Sequence, residues 1–408
     1  MNGAPAAAPA PGRGRKAAFA LVAILVSAAV GFAICEVAVR LIVPQQTYSS
    51  LVTLVGHQWR SGDFIPLTLR PNSVVKEPSM EDPGSWVTVT TNSMGLRGRE
   101  AAFAKPPGTK RILALGDSYT FGLFVADDAS YPAVLESLYR REGKNVEVVN
   151  AGFADGYSPD EQYAWLVNAG MKFKPDVVTY GFFVGNDVTD IKEETWVEKD
   201  QRGLPVRIVD PDRYADEWGR PRSRTQGKST AGWEFIYRIP VLRESHFLVL
   251  LNKTLFGQAR HLPSKHRQIR MKGLDDPFPL IMQKVSDPET RRKEVLFMKL
   301  VRGMRDVAAD GGARFIVVMI PINFQVQPEL KSLVVAPEKY QVRRDYFAEL
   351  SPKLDVQAIP HLNMLERMTA VPGEYFPRNG EFHYNSNGHA YTARCLKDTL
   401  DRLGWIAG

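Results

Sequence analysis

Ser118 stands where a buried strand stops. Ile112-Leu113-Ala114-Leu115 is the kind of apolar run a parallel strand shows when both faces are covered, and Gly116-Asp117-Ser118 breaks it. Open parallel sheets bind ligands at the carboxyl ends of their strands. The hydroxyl is therefore placed to attack a substrate as well as to cap the next helix with Asp117. Serine alone is a weak nucleophile and needs a base within hydrogen-bonding reach. His383, in Glu381-Phe382-His383-Tyr384-Asn385 ahead of the last predicted helix, is the candidate. His389 is the rival, expected to pack or cap within the first turn of that helix. Two more predicted strands end in small or amide residues, Asn150-Ala151-Gly152 and Gly185-Asn186-Asp187. A glycine N–H, an asparagine amide and the Ser118 N–H could together hold the oxyanion of an attacked carbonyl. The chemistry these residues suit is acyl transfer through a covalent serine intermediate. Asp117 and Asp187 read as acceptors that hold loops, and Tyr119, Phe121 and Tyr157 as core or pocket lining.

These residues need a frame. From Arg111 the pattern alternates strands and helices, the signature of a parallel sheet with crossover helices. Strands are expected at 111–115, 146–149, 176–183 and 314–320, with a weaker one near 355–359. Ser158-Pro159-Asp160-Glu161 predicts a helix start with a capping box, reaching about Met171. Asp287-Pro288-Glu289 opens another that closes at Gly311-Gly312, and a last helix runs from about Asn387 to Leu403. Ahead of this frame, residues 45–108 form a β-rich lead-in. Residues 192–285 are an insertion too long for a simple crossover, and apolar residues at helical spacing recur between Phe235 and Phe256.

Lysine and arginine number 52 against 45 aspartates and glutamates, a net charge of +7. The insertion carries that excess, with fifteen basic and six acidic residues from Arg202 to Lys272. It is read as a solvated face or as one that meets anionic lipid headgroups or an acidic glycan. Gly227-Lys228-Ser229 is no phosphate loop, because Arg222 stands where that motif needs glycine. Two cysteines, Cys35 and Cys395, give neither a disulfide framework nor a zinc site. No metal, organic cofactor or nucleic-acid partner is expected, and nothing in the sequence names a protein partner. Arg13, Arg15 and Lys16 precede an uncharged run from Ala17 to Cys35, with apolar character resuming to Val43 before Pro44. That run is long enough to cross a bilayer, and the basic residues ahead of it place the amino terminus in the cytoplasm. A cleaved signal peptide is the competing reading; its apolar core would be shorter and would end in a small-x-small site, whereas this run is long and reads Phe32-Ala33-Ile34-Cys35 before Glu36, so an uncleaved anchor is favoured. The expected order is a cytoplasmic tail (1–16), a membrane anchor (17–43), the lead-in (45–108), a catalytic domain (109–191 and 286–408) and the basic insertion (192–285).

With four blocks in this order, the chain resembles the GDSL, or SGNH, hydrolase family. On that resemblance Ser118 matches the nucleophile, Gly152 and Asn186 the oxyanion donors, and His383 the base. The resemblance covers about 110–190 and 313–403. It implies a three-layer α/β/α sandwich with a doubly wound, mostly parallel sheet resembling flavodoxin. The chemistry it implies is that of an esterase, lipase or carbohydrate acyl-esterase. The family usually places an aspartate two or three residues before the histidine, where this chain has Gly380 and Glu381. Glu381 can orient the imidazole as a carboxylate, since Ser-His-Glu sets serve this role. The alternative is a dyad supported by a backbone carbonyl. The expectation is a membrane-anchored serine esterase outside the cytoplasm, acting on an O-acylated envelope glycan or a lipid. An O-acyltransferase on an envelope polysaccharide and a non-catalytic binding protein on the same fold are the alternatives.

Overall fold

The computed structural model describes residues 13–43, 59–79, 81, 85–153, 157–215, 221–223, 242, 245–255, 288–330, 345–378 and 381–406. The extreme amino terminus, the start of the lead-in, the Gly227-Lys228-Ser229 stretch, most of the insertion beyond residue 223 and Gly380 lie outside them. Two compact units are formed, one from Met1–Val52 with Lys228–Leu262 and the other from Thr53–Gly227 with Pro263–Gly408.

The larger unit is built on five parallel strands: β5 (Lys110–Gly116), β6 (Val146–Gly152), β7 (Val177–Phe183), β12 (Arg314–Ile320) and β13 (His361–Asn363). Their spatial order is β13-β12-β7-β5-β6. Read from the β6 edge this is the flavodoxin-like order 2-1-3-4-5, whose direction of winding reverses beside β5. Every residue of β7 is buried, as are all but the first of β5 and β12. Helices on both faces account for these unbroken apolar runs. On one face α3 (Tyr131–Arg141) packs on α10 (Ser386–Arg402), and on the other α4 (Pro159–Asn168) packs on α6 (Pro288–Asp310). The result is a three-layer α/β/α sandwich with its core on both sides of the sheet.

The lead-in contributes two antiparallel hairpins, β1 (Trp59–Ser61) with β2 (Leu67–Leu69) and β3 (Val74–Pro78) with β4 (Trp86–Thr90). A bridge from Arg97 to Asn150 joins it to β6. After β7 come the hairpins β8 (Trp196–Lys199) with β9 (Pro205–Ile208) and β10 (Arg213–Ala215) with β11 (Pro221–Ser223). The remaining helices are α1 (Arg13–Ile42), α2 (Ser118–Phe121), α5 (His246–Leu255), α7 (Asn323–Val326), α8 (Tyr346–Val356) and α9 (Met364–Ala370). Among the described residues α1 is the one helix long and apolar enough to cross a membrane, over Ala18–Ile42. It pairs with α5 in the smaller unit.

Two local expectations need correction. The strand expected near 355–359 is the end of α8 and the turn after it, and the edge strand follows at His361–Asn363. Tyr346, Phe347, Leu350 and Leu354 are buried at helical spacing, and the Asp345 side chain caps Ala348 N–H at 3.1 Å. Ser158 does occupy the N-cap position of α4, but its hydroxyl donates to Asp160 Oδ1 (2.5 Å) and caps no backbone group.

Candidate active site

Chain direction, not a motif alone, brings Ser118 to the carboxyl edge of the sheet. β5 ends at Gly116, and Asp117 turns the chain into α2 by accepting Tyr119 N–H at 2.9 Å. Ser118 is the first residue of that helix, so its N–H is a first-turn donor with no acceptor within the helix. α2 rests on strand ends that leave no room for side chains. A Cβ added at Gly152 would lie 2.2 Å from Phe121 N, and one at Gly116 would lie 2.1 Å from Thr120 Oγ1. Gly116 stands in register with Gly152 on one side and Gly181 on the other.

His383 arrives from the loop before α10, whose first turn Asn385 caps by accepting Gly388 N–H at 2.9 Å. His383 Nε2 lies 2.9 Å from Ser118 Oγ, and Nδ1 lies 2.7 Å from Glu381 Oε1. The imidazole is nearly buried, at 8 % exposure. Tyr119, Phe124 and Phe382 set their rings around it at centroid distances of 5.1, 5.6 and 4.6 Å. Burial alone would raise the Glu381 carboxyl, but the His383 ring and the N–H groups of Phe382 and His383 hold it below its ordinary value. An ionised Glu381 fixes the tautomer with hydrogen on Nδ1, which leaves Nε2 free to accept the serine proton.

The other expected donors are less open. Gly152 N–H donates to Asn150 Oδ1 at 3.0 Å, so it is engaged within its own strand end. Asn186 follows β7 and donates one amide hydrogen to Asp190 at 2.6 Å. Its second hydrogen is left for another acceptor. Asp187 accepts Phe183 N–H at 3.0 Å and holds the end of β7, the loop-holding role expected of it. Burial pushes the carboxyls of Asp117 and Asp187 above the ordinary range. His389 is turned away from the serine, with Nδ1 accepting Tyr131 N–H at 3.3 Å between α10 and α3. Tyr119, Phe121 and Tyr157 are core residues, each at most 3 % exposed.

No family model matches this sequence, and no curated protein matches it either. Among solved structures, the lipase/acylhydrolase from Enterococcus faecalis is 12% identical, with 72% of this chain and 96% of that one covered and a TM-score of 0.36. A GDSL-like lipase from Bacteroides thetaiotaomicron is 10% identical, covering 72% of this chain and 89% of that one, with a TM-score of 0.33. The lipase Lip_vut3 from a goat rumen metagenome is 13% identical over 71% of this chain and 96% of that one, with a TM-score of 0.33.

Arg97, Asn323 and Tyr119 hold the site together; the sequence does not single out the first two and reads Tyr119 as core or pocket lining. Arg97, from the lead-in, is 2 % exposed. It donates to the carbonyls of Phe121 (2.9 Å), Gly122 and Val125 (2.5 Å) and to Asp127 (2.9 Å), so it clamps the carboxyl end of α2. Asn323 opens α7 after β12 and donates to the Glu381 carbonyl at 3.2 Å. The Tyr119 hydroxyl donates to the Phe382 carbonyl, which fastens the loop of His383 to α2. A cavity of about 520 Å³ lies behind this clamp, lined by Arg97, Asp127 and Asn150 and not by Ser118 or His383.

Proposed function

We propose that this chain is a serine esterase of the SGNH type, tethered to a membrane by α1, with its catalytic unit outside the cytoplasm. The observation that carries the reading is the continuous chain from the Ser118 hydroxyl through the His383 imidazole to the Glu381 carboxylate, with links of 2.9 and 2.7 Å. In the first half-reaction His383 Nε2 takes the Ser118 proton as Oγ attacks the ester carbonyl. The Ser118 N–H and the second amide hydrogen of Asn186 stabilise the oxyanion. Gly152 N–H joins them when Asn150 releases it. Collapse expels the alcohol, which takes the proton back from His383, and leaves the acyl group on Ser118. Water then attacks the acyl-enzyme by the same steps in reverse.

A sugar hydroxyl in place of that water would make the protein an O-acyltransferase, by identical steps up to the acyl-enzyme. The basic residues ahead of the apolar helix support a cytoplasmic amino terminus. An enzyme so placed, with a basic insertion, suits O-acylated envelope glycans or lipids as substrate. A fluorophosphonate ester is the direct test. The full-length protein should be labelled, and Ser118→Ala should abolish labelling. A folded wild-type protein that resists the probe would remove the catalytic reading and leave a binding protein on this fold.

A further inference from the structure

Glu36 stands inside the apolar stretch Ala18–Ile42 of α1. A carboxylate within a membrane-spanning helix is costly unless a specific partner takes it. Its partner here is the start of α5. Glu36 accepts from the Ser245 hydroxyl (2.6 Å), His246 N–H (3.0 Å) and Phe247 N–H (2.9 Å), while Arg40 Nε adds a fourth bond at 2.6 Å. The Glu36 side chain is 13 % exposed. Two of those donors are first-turn N–H groups with no acceptor inside α5, at the positive end of its dipole. One helix thus supplies the cap of another, far from it in sequence.

The contact continues through apolar groups. Phe32 and Phe247 meet edge to face with centroids 5.7 Å apart. Phe32, Cys35, Glu36 and Val39, at helical spacing, are partly covered, whereas Leu25, Ile34 and Val37 are exposed. Phe247-Leu248-Val249-Leu250-Leu251 makes α5 apolar, and its ten residues span ~15 Å, about half a hydrocarbon core. Such a helix is too short to cross a bilayer and long enough to lie in one leaflet. From Ser245 to Lys272 the sequence carries six lysines and arginines and no carboxylate, which suits anionic headgroups at that surface. Glu36 lies six residues before the end of α1, ~9 Å along its axis, so it belongs to the leaflet on the far side from the basic tail.

We propose that α5 enters the outer leaflet alongside α1, pinned by Glu36, and gives the insertion its own hold on the membrane. The bilayer is the occupant because α1 exposes Leu25, Ile34 and Val37 and α5 sets a run of five apolar residues, Phe247 to Leu251, beside it. This inference rests on reading α1 as a membrane anchor, and the test separates the two. The full-length protein, with Cys35→Ser and Cys395→Ser, is reconstituted in nanodiscs of mixed phosphatidylcholine and phosphatidylglycerol. An environment-sensitive fluorophore is attached through either Leu251→Cys or Leu25→Cys, and lipids carrying a mid-chain spin label serve as quencher. Both positions should lose most of their emission, and adding Glu36→Ala should restore emission at 251 while leaving 25 quenched. Quenching at 25 with none at 251 overturns the docking of α5 and spares the anchor. No quenching at either position overturns both. Unchanged quenching at 251 in the Glu36→Ala protein overturns the pin.

Discussion

At the scale of single residues, the contact between Glu381 and His383 is the feature most open to test. The Glu381 side chain reaches the imidazole because the carboxylate folds back on its own loop, where Oε1 also accepts Phe382 N–H at 3.1 Å. The His383 Nδ1 contact of 2.7 Å is that of a charge-assisted hydrogen bond. Glu381→Gln keeps the length and removes the charge, so under the proposed mechanism it would no longer favour an imidazolium at His383. Hydrolysis of p-nitrophenyl acetate should fall in kcat by about 100-fold or more, with KM little changed. An activity within a factor of a few of wild type would favour the dyad supported by a backbone carbonyl. Much of this residue-level pattern is legible in the sequence, because serine, histidine and carboxylate advertise themselves by chemical type. Whether the donors are available is not legible there. Gly152 N–H is engaged by an asparagine side chain two residues away, and nothing in Asn150-Ala151-Gly152 as a string says which way that amide turns.

At the scale of elements, α2 is four residues long and cannot hold itself in place, since a single helical turn is an unfavourable nucleus. The lead-in does that work from outside. Arg97 takes the carbonyls at the end of α2, Thr90 N–H and its hydroxyl bond Asp127 at 2.9 and 2.6 Å, and Glu77 accepts Phe124 N–H at 3.0 Å. The β-rich segment ahead of the sheet is therefore part of the support for Ser118. Arg97→Met would remove the guanidinium and leave buried carbonyls and one face of Asp127 without their donor. A buried carbonyl left without its donor costs about 1–3 kcal/mol, while Asp127, 27 % exposed, keeps its bonds to Thr90. The melting temperature should fall accordingly, and labelling of Ser118 by a fluorophosphonate should slow because the serine's turn is no longer fixed. The order of strands and helices is readable from periodicity, and four of the five expected strands fall where the sequence places them. Arg97 and Asn323 were not readable. Their partners are backbone carbonyls more than twenty residues away, and a carbonyl carries no signature of residue type. The misplaced edge strand has a related cause, because the end of an amphipathic helix and a short edge strand offer similar apolar content over five residues.

At the scale of the whole molecule, the loop that carries His383 leads into the final helix, and that helix is held by a histidine that must stay neutral. His389 is 1 % exposed between α10 and α3, and Nδ1 accepts Tyr131 N–H, a role open only to the unprotonated ring. Burial, reinforced by Arg97 and His383, pushes its pKa down to about 3. An unfolded histidine titrates near 6.5, so the folded form binds fewer protons over the interval between the two values. The stability His389 contributes is complete above about pH 6.5 and is lost as pH falls toward 3, on the order of 5 kcal/mol over the full interval. Glu161 works in the opposite sense, because burial pushes it up to about 7 even with Arg213 2.5 Å away. Its contribution is complete below about pH 4.5 and is lost as pH rises through 7. Asp117, pushed up to about 7 by burial, acts in the same sense as Glu161, so the buried carboxyls offset the histidine and a comparison with a His389 variant is needed to isolate it. Melting temperatures of wild type and of a His389 variant should therefore be compared from pH 7 to pH 4. His389→Gln, whose amide oxygen can still accept the Tyr131 N–H, should gain stability relative to wild type as pH falls. The gap between the two curves should open steadily below pH 6.5, and parallel curves would mean that His389 is already charged in the folded protein.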